Sequence, residues 1–329
     1  MKILVTGCAG FIGSHLTEHL LSQGHHVIGI DLLDNFYDVR IKKSNMVSFF
    51  YHPLFEFYHL NLLYLDDQLL KDVDLVIHLA ARAGVRPSIE NPQLYIDHNI
   101  SATRSLLDAM CKQGVKKLIF ASSSSVYGNI QEFPYREDMD TAVPISPYAF
   151  TKKACELMNY NYYHLHGIDV VNLRFFTVYG ERQRPDLAIY KFVHQIFQHK
   201  PITIYGDGSS ERDYTYIGDI IRGIRQTIDF IEQRNGVYET FNLGGSQPIP
   251  LITLVEMIYQ QLGVTPNLNY LPAQPGDLPK TYADISKAQR LLGYQPQTPL
   301  EEGLSKFIKW YLNMVYEPDF NIYQHACLS

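Results

Sequence analysis

The residues best suited to moving a proton in this sequence are Tyr148 and Lys152, which stand four positions apart. At that spacing two side chains share one face of a helix, and Ser146 and Pro147 are typical of a helix N-cap and first turn. A neighbouring ammonium group stabilises a phenolate and lowers the tyrosine pKa from its ordinary value of about 10. The pair therefore predicts a tyrosine base that acts on a hydroxyl, although an ordinary surface pair has the same spacing.

The start of the chain holds a glycine-rich turn of the kind that binds phosphates. Apolar residues 2–6 predict a buried parallel strand, and Gly7, Gly10 and Gly13 follow it in a GxxGxxG spacing. Glycines there let the backbone approach a pyrophosphate and let the next helix pack tightly, while the helix N-terminus attracts the phosphate charge. The alternative interpretation is an α/β domain in which the glycines only form a turn and the following Asp is incidental, so that no cofactor binds.

Asp31 stands directly after the second predicted strand, residues 26–30. Its carboxylate can accept hydrogen bonds from both hydroxyls of an adenosine ribose, and it would repel a 2′-phosphate. Together with the glycine turn, this position predicts bound NAD rather than NADP.

Composition argues against nucleic-acid and membrane partners. The chain has 329 residues, of which 46% are hydrophobic and 19% charged, as in one large or two ordinary globular domains. Its net charge of -6 gives a nucleic-acid partner no electrostatic support. No apolar run approaches the roughly 20 residues of a membrane span, and an early strand leaves no room for a signal peptide. The scattered cysteines predict reduced thiols, no metal site and a cytoplasmic protein.

Strand-like and helical segments alternate through the first half of the chain, which predicts a doubly wound parallel (Rossmann) α/β sheet. We place an NAD-binding domain at residues 1–175 and a smaller C-terminal α/β substrate domain at residues 176–329, with some segments returning to the first domain. The further predicted elements are strands at residues 55–60, 75–79, 117–121 and 169–174 and a long helix at residues 92–112. Ligands of such sheets bind at the carboxyl ends of strands, where Asn61, Ala80 and residues 122–125 lie.

Six motifs together resemble the extended short-chain dehydrogenase/reductase family, in its nucleotide-sugar epimerase and dehydratase branch. They are GCAGFIG at Gly7, HLAA at His78, SSSSVYG at Ser122, SPYAFTK at Ser146, LRFFTVYG at Leu173 and RDYTYIGD at Arg212. The resemblance implies NAD that stays bound, Tyr148 as the base, Lys152 as its partner and Ser123 as hydrogen-bond donor to the reacting oxygen. It also implies a homodimer formed through two helices, at residues 92–112 and 147–166.

The same motifs and strand ends predict the cofactor contacts. The predicted residues are Gly7, Gly10, Phe11, Ile12, Gly13, Asp31, Asn61, Leu62, Leu79, Ala80, Ala81, Asn99, Ser122, Tyr148, Lys152 and Phe175. One departure from the family is Asn61, because many relatives carry an acid near the adenine at this position. An amide can still form a hydrogen bond there.

The two residues after Ser123 distinguish the branches of this family. Dehydratases carry an Asp-Glu pair there, and sugar-acid decarboxylases carry Glu at the second position, whereas this chain has Ser124 and Ser125. Dehydration therefore lacks its general acid. The remaining reaction is 4-epimerisation, in which C4 is oxidised, the keto sugar rotates and the hydride returns to the other face.

Among these epimerases the sequence most resembles those of UDP-glucuronate, through DNFYDVRIKKSN, AGVRPSIENP, RFFTVYGERQRPDLA and QPGDLPKTYADISKA. Hydroxyls at Ser123, Ser124, Ser125 and Thr177 can hold a carboxylate at C5 without a repelling charge, although a polar strand end is also rich in serine. The alternative enzyme is a UDP-glucose or UDP-N-acetylglucosamine 4-epimerase. A third interpretation is a non-catalytic NAD-binding regulatory protein, because fold alone does not fix function.

The UDP part of the substrate needs a separate set of contacts. By the family motifs, Arg212 is predicted to bind the diphosphate, Thr203 and Tyr205 the uracil, and Asp277 the uridine ribose. Gln274 and Arg184 are further candidate contacts of the nucleotide, whereas Arg86 is a further candidate contact of the sugar carboxylate. A solvated surface charge is an equal alternative for Arg184.

Overall fold

A computed structural model describes residues 1–272 and 278–316 of the chain, so the predicted substrate contacts Gln274 and Asp277 lie outside the described residues. The strands are β1 (Lys2–Thr6), β2 (His26–Asp31), β3 (Phe55–His59), β4 (Leu75–His78), β5 (Lys117–Ser123), β6 (Asp169–Phe175), β7 (Thr177–Tyr179), β8 (Ile202–Tyr205), β9 (Glu211–Tyr216), β10 (Tyr238–Leu243), β11 (Pro248–Pro250) and β12 (Leu268–Leu271). The α-helices are α1 (Phe11–Ser22), α2 (Val39–Met46), α3 (Val85–Glu90), α4 (Pro92–Tyr95), α5 (Ala102–Gln113), α6 (Pro147–His166), α7 (Ala188–Phe197), α8 (Ile217–Glu232), α9 (Leu251–Leu262), α10 (Ser286–Leu292) and α11 (Leu300–Tyr316).

Seven parallel strands form the main sheet, in the order β10-β6-β5-β4-β1-β2-β3. Apolar side chains are buried on both of its faces, since α1 and α8 pack on one face and α5 and α6 on the other. The predicted doubly wound parallel sheet is therefore confirmed. Its edge strand β10 comes from residues 238–243, far beyond β6 in the chain.

The register of the sheet brings the predicted site residues to one edge. Thr6 at the end of β1 lies beside Ile30 and His78, and Ser123 at the end of β5 lies beside Phe175. β5 continues two residues further than the predicted strand, so Ser123 belongs to the strand itself.

The predicted helix at residues 92–112 contains an irregular turn. α4 passes into a π-helical turn, Ile96–Ser101, before α5 begins. Apolar periodicity cannot reveal a single wide turn, because the helix continues on both sides with nearly the same apolar face. π turns are frequent at functional sites, and this one contains Asn99.

The start of α6 is formed as the sequence predicts. Ser146 Oγ accepts the Ala149 N–H at 3.1 Å, and Pro147 is the first helical residue. The helix ends at Gly167, whose φ of 61° is left-handed. These two caps fix which residues of α6 face β5.

The remaining elements form a second, smaller layer. β11, β9 and β7 make a three-stranded sheet, β12 pairs with β8, and α7, α9 and α11 pack around a core that includes Val193, Leu254 and Phe307. Within residues 1–272 and 278–316, no helix is both long and apolar enough to cross a membrane. The same residues contain no group of three or more side chains arranged to hold a metal ion.

Candidate active site

Steric limits at the backbone fix the glycine turn between β1 and α1. Gly7 has a φ of 75°, and a Cβ on it would lie 2.8 Å from the Ala80 nitrogen. A Cβ on Gly13 would lie 2.0 Å from the Gly7 carbonyl oxygen. Since neither position tolerates a Cβ without movement, the turn can hold β1, α1 and the loop after β4 in close contact.

The space at this turn fits a dinucleotide phosphate. Gly10 directly precedes α1, and among the described residues no side chain caps the first turn of that helix. The N–H groups of Phe11, Ile12 and Gly13 are thus free of intrahelical partners and suited to an anion. A Cβ on Gly10 would meet, within 4 Å in the described structure, only the Gly7 carbonyl at 3.2 Å, so glycine keeps the space open.

Asp31 is fixed beside the same turn. Its Oδ2 accepts the Ala9 N–H at 3.1 Å, and its Oδ1 accepts the Leu33 N–H at 2.8 Å. Each carboxylate oxygen has further lone pairs for the hydroxyls of a ribose. This buried, oriented acid suits NAD better than NADP.

The other predicted cofactor residues at strand ends lie around this acid and turn. Asn61 Oδ1 accepts the Leu63 N–H at 3.0 Å and caps a short 3₁₀ turn that begins at the buried Leu62. After β4, the Ala80 N–H donates to Thr6 Oγ1 at 3.2 Å. Leu79 is half-buried next to it and Ala81 is exposed.

The hydroxyls of Ser123 and Ser125 form a pair at the end of β5. Ser123 Oγ accepts the Ser125 N–H at 3.2 Å, and the two hydroxyl oxygens lie 3.1 Å apart. These bonds begin a 3₁₀ turn, Ser124–Tyr127, in which Ser124 is half-buried. Phe175 pairs with Ser123 on the neighbouring strand, and Thr177 follows it as the first residue of β7.

Tyr148 lies in the first turn of α6, where two hydroxyls hold its backbone. Its N–H donates to Ser88 Oγ at 3.1 Å, and its carbonyl accepts from Thr151 Oγ1 at 2.8 Å. Its ring contacts the edge of the Tyr95 ring, with 6.3 Å between the centroids. The Ser123 side chain also acts to lower the pKa of the phenol, so the predicted base and hydroxyl donor lie near each other.

The pKa of the Tyr148 phenol differs from the prediction. Burial raises it above its ordinary value, against the hydrogen bond from Ser123 and the charge of Arg184, which both lower it. Lys152 Nζ instead donates to the Ala121 carbonyl at 2.6 Å, and burial lowers the lysine pKa to about 8. The expected lowering of the tyrosine pKa by Lys152 is therefore wrong here, because burial dominates and the ammonium group is directed to a carbonyl.

Two predicted cofactor residues use their side chains within the protein. Ser122 Oγ donates to the buried Glu156 at 2.6 Å. Asn99 Nδ2 donates to the Arg82 carbonyl at 3.0 Å and to Thr151 Oγ1 at 2.9 Å, while Asn99 Oδ1 accepts the Arg82 N–H at 2.7 Å. A contact from Ser122 to a cofactor would therefore come from its backbone, and one from Asn99 from the remaining lone pair of Oδ1.

Two residues predicted to bind different parts of the substrate lie next to each other. The Arg86 guanidinium of α3 lies 5.6 Å from the centroid of the Tyr205 ring on β8. Thr203 and Tyr205 alternate with the buried Ile202 and Ile204, so both point away from the core. Two candidate contacts from distant parts of the sequence are thus brought together.

Arg212 and Thr177 lie in the same three-stranded sheet. Arg212 Nη1 donates to the Glu211 carbonyl at 2.8 Å, and its charge opposes the burial that raises the pKa of Tyr135. Thr177 pairs with Tyr214 on the neighbouring strand β9. The predicted diphosphate contact and one predicted carboxylate contact therefore share this sheet.

The arginines after β7 have separate surroundings. Arg184 forms two hydrogen bonds of 2.8 Å with Asp186 and lies 5.8 Å from the centroid of the Phe36 ring. Its charge also acts on Tyr148, so it belongs to the site. Arg182 forms an ion pair with Glu18 on α1, at 2.8 Å.

Ser88 and Thr151 are site residues that the sequence does not single out. Both act on the Tyr148 backbone, and Ser88 also donates to the Val85 carbonyl at 2.5 Å. Ser88 lies within AGVRPSIENP, one of the segments that carries the resemblance, and Thr151 lies within SPYAFTK. Those motifs were a signal for the region, but contacts between a side chain and a distant backbone group are visible only in the folded chain.

Comparison with known proteins places this geometry in a family. Residues 3–244 match the model of the NAD dependent epimerase/dehydratase family. A UDP-glucuronate 4-epimerase of Thermodesulfobacterium geofontis is 44% identical over 314 residues, which are 93% of this chain and 95% of that protein. The crystal structure of a UDP-glucuronic acid 4-epimerase from Bacillus cereus, in complex with UDP-glucuronic acid and NAD, has a TM-score of 0.91 and 39% identity, and the match covers 95% of this chain and 100% of that one.

A structure named for a neutral sugar is also similar. The UDP-N-acetylglucosamine 4-epimerase from Methanobrevibacter ruminantium M1 has a TM-score of 0.88 and 32% identity, over 95% of this chain and 98% of that one. The matched family region includes the glycine turn, Asp31, the Ser123 hydroxyl and the Tyr148–Lys152 pair. The resemblance predicted from the motifs is confirmed: the chain belongs to the NAD-dependent epimerase/dehydratase family.

Proposed function

We propose that this protein is an NAD-dependent UDP-sugar 4-epimerase that converts UDP-glucuronate to UDP-galacturonate. The observation that carries the proposal is the paired hydroxyls of Ser123 and Ser125 beside Tyr148, at a turn where dehydratases carry acids. The similarity to proteins named for UDP-glucuronate supports the choice of substrate.

In this proposal the residues of the chain move a proton and hold the sugar. Tyr148 takes the proton of the C4 hydroxyl, while Ser123, near the phenol, binds the reacting oxygen. NAD, held by the glycine turn and Asp31, would supply reversible hydride transfer at C4 of the sugar. The charge of Arg184 favours the phenolate that accepts this proton, whereas burial raises the pKa of the phenol and strengthens its hold on the proton.

The carboxylate of the substrate needs its own restraint. The 4-keto form of a uronic acid is a β-keto acid, which loses carbon dioxide when its breaking C–C bond aligns with the carbonyl π system. We assign Ser124, Ser125 and Thr177 to hold the carboxylate out of that alignment, since hydrogen bonds to a charged group contribute about 1.5–3 kcal/mol each. Ser125 is already oriented by Ser123, and Thr177 stands two residues after the strand partner of Ser123.

The test is a comparison of substrates on one protein preparation. Purified protein is incubated separately with UDP-glucuronate, UDP-glucose and UDP-N-acetylglucosamine, and the products are identified by NMR. We expect UDP-galacturonate from UDP-glucuronate, and NAD rather than NADP released on denaturation. Conversion of UDP-glucose or UDP-N-acetylglucosamine alone would show that the substrate is a neutral sugar. Bound NAD without turnover of any of the three would favour the regulatory alternative.

We also propose a cytoplasmic homodimer formed through the helices at residues 92–112 and 147–166. Phe150, Leu157 and Leu165 on α6 are exposed by 47%, 56% and 67%, more than is usual for large apolar side chains. The free buried thiols of Cys8 and Cys155 suit a reducing compartment. Sedimentation should give a dimer for the wild type and a monomer for Leu157→Glu, and cell fractionation should recover the protein with cytoplasmic markers.

A further inference from the structure

A chain of buried hydrogen bonds runs from the loop after β4 to the π turn. The Ala80 N–H donates to Thr6 Oγ1 at 3.2 Å, and that oxygen lies 2.6 Å from His78 Nδ1. On the other side of the ring, His78 Nε2 lies 2.9 Å from Thr103 Oγ1, which donates to the Asn99 carbonyl at 2.6 Å. Thr6, His78, Thr103 and Asn99 are each exposed by 2% or less.

The donors and acceptors of this chain fix the protonation of His78. A carbonyl can only accept a hydrogen bond, so Thr103 donates its single hydroxyl proton to the Asn99 carbonyl. Thr103 Oγ1 must therefore accept from His78 Nε2, which places a ring proton on that nitrogen. His78 Nδ1 is then the acceptor for the Thr6 hydroxyl, whose oxygen receives the Ala80 N–H.

The electrostatic surroundings agree with a neutral ring. Burial and the charge of Lys152 lower the pKa of His78 to about 3. The Cys155 thiol lies 3.6 Å from Thr103 Oγ1, and burial raises its pKa to about 11, so it stays protonated and remains a weak donor to the chain. All hydrogen bonds of this series therefore donate in one direction, from the Ala80 N–H towards the Asn99 carbonyl.

Asn99 connects this chain to both sides of the active site. Its Oδ1 and Nδ2 bond the N–H and the carbonyl of Arg82, at 2.7 and 3.0 Å, and so hold the loop that contains Ala80 and Ala81. Its Nδ2 also donates to Thr151 Oγ1 at 2.9 Å, and Thr151 donates to the Tyr148 carbonyl at 2.8 Å. The cofactor loop and the catalytic helix are therefore held by one residue.

We propose that His78 is a positioning residue: its neutral Nε2–H tautomer orients Asn99, and through Asn99 it sets the position of Tyr148 relative to the NAD-binding loop. A ring protonated on Nδ1 alone would place the Nε2 lone pair against the Thr103 oxygen and break the bond to Asn99. The effect on turnover rests on the proposed function, whereas the tautomer does not.

The tautomer is tested directly by NMR. The NAD-bound protein is labelled with ¹⁵N-histidine, and the His78 ring signals are identified by their loss in His78→Gln. Long-range ¹⁵N–¹H correlations distinguish the two neutral tautomers and the cation. We expect a neutral ring protonated on Nε2 throughout pH 5.5 to 8. A ring protonated on Nδ1, or a cationic ring in that range, would overturn the proposal.

The positioning role is tested with two variants of Thr103. Thr103→Val keeps the shape but removes the hydroxyl, whereas Thr103→Ser keeps the hydroxyl. We expect Thr103→Val to lower kcat on UDP-glucuronate by about tenfold, with KM unchanged, to weaken NAD retention and to lose the single Nε2–H tautomer. Thr103→Ser should stay within about twofold of the wild type in kcat and keep the tautomer.

Two kinetic outcomes would contradict the positioning role. One is wild-type kcat in Thr103→Val, and the other is an equal loss in both variants, which would point to packing of the methyl group. If the wild-type protein turns over no UDP-sugar, the proposed function fails. The tautomer and the NAD affinity of the two variants then still decide the proposal, because neither requires turnover.

Discussion

The cofactor side and the sugar side of this site are built in different ways. The centre of the cofactor side is the glycine turn with Asp31, which lies within the first 31 residues of the chain. Backbone groups hold it together: a Cβ on Gly13 would lie 2.0 Å from the Gly7 carbonyl oxygen, and Asp31 accepts the Ala9 N–H. The phosphate-binding surface is therefore the backbone itself, and its shape depends on the absence of side chains at the glycines.

The sugar side consists of side chains from separate elements. They are Arg86 on α3, Ser125 after β5, Thr177 on β7, Tyr205 on β8 and Arg212 on β9. A direct contact across this set is the one between Arg86 and Tyr205. A substitution on the cofactor side should therefore displace backbone and affect all NAD binding, whereas one on the sugar side should remove a single contact and leave the fold intact.

Tyr148 stands between the two sides, and its removal should have the largest effect on turnover. Tyr148→Phe keeps the ring but removes the hydroxyl, which lies near Ser123. We expect kcat to fall by about 10²- to 10⁴-fold, the usual contribution of a general base. The fold, followed by the thermal midpoint, and the binding of UDP-sugar should stay unchanged, since the ring still packs.

Tyr163→Phe is the matched control for this prediction. Tyr163 lies on the same helix, but its hydroxyl donates to the Gly236 carbonyl at 3.2 Å, at the other end of α6. Its kcat, measured by NMR product analysis, should be close to that of the wild type. Substantial turnover in Tyr148→Phe, above a tenth of the wild-type rate, would remove Tyr148 from the mechanism.

Gly13→Ala should break the cofactor side through shape alone. The new methyl group would lie 2.0 Å from the Gly7 carbonyl oxygen, so α1 or the turn must move. We expect overpacking to cost about 1–3 kcal/mol of stability and NAD affinity to fall at least about tenfold, by loss of helix N–H contacts. Calorimetry with added NAD and a thermal melt measure the two effects.

Gly24→Ala separates this steric effect from a general cost of replacing glycine. Gly24 has a φ of 77°, and in the described structure no atom lies within 4 Å of a Cβ placed on it. It should lose about 1–2 kcal/mol of stability through backbone strain but bind NAD normally. Equal NAD binding by the two variants would show that the turn is less constrained than its geometry indicates.

Ser125→Ala should show the contrasting behaviour of the sugar side. Removing one hydrogen bond to a carboxylate costs about 1.5–3 kcal/mol, so KM for UDP-glucuronate should rise by about 10-fold or more while NAD stays bound. A looser carboxylate should also release UDP-4-keto-pentose in some turnovers. Both products are measured by NMR for the wild type and for Ser124→Ala, Ser125→Ala and Thr177→Ala.

Thr177→Ser provides the control, because it keeps the hydroxyl and removes only a methyl group. It should resemble the wild type in KM and in product ratio. If the wild type accepts UDP-glucuronate and none of the alanine variants changes binding or products, the proposed carboxylate contacts are wrong although the substrate is right.

The sequence predicts the cofactor side well because its contacts are local. The spacing of Gly7, Gly10 and Gly13 determines which backbone atoms meet, and Asp31 follows from the next strand. The fold class follows from the alternation of strands and helices for the same reason. Each prediction requires only neighbours along the chain, and the structure confirms the resulting turn, helix and sheet.

The sequence does not predict contacts that depend on how distant segments pack. The hydrogen bond from the Tyr148 N–H to Ser88 and the cation–π contact between Arg86 and Tyr205 join segments with no periodic relation. The predicted lowering of the Tyr148 pKa is wrong for the same reason. Burial is a property of the folded chain, and its effect on the pKa outweighs the effect that a lysine four residues away was expected to have. The π turn at Asn99 adds width to a helix without altering its apolar face.

The contact between Arg86 and Tyr205 should give the smallest effect and the finest test of the comparison. A cation–π contact at an exposed site contributes about 0.5–1 kcal/mol, so Arg86→Gln and Tyr205→Leu should each raise KM about two- to fivefold. If this contact joins the two parts of the sugar side, either substitution alone removes it. The loss of binding free energy in the double variant should then be smaller than the sum of the two single losses, by about 0.5–1 kcal/mol. Lys306→Gln, which removes a similar contact of 5.0 Å with Tyr216, should leave KM unchanged. Additive effects would mean that Arg86 and Tyr205 bind the substrate independently. The strands alone would then position the side chains of the sugar side.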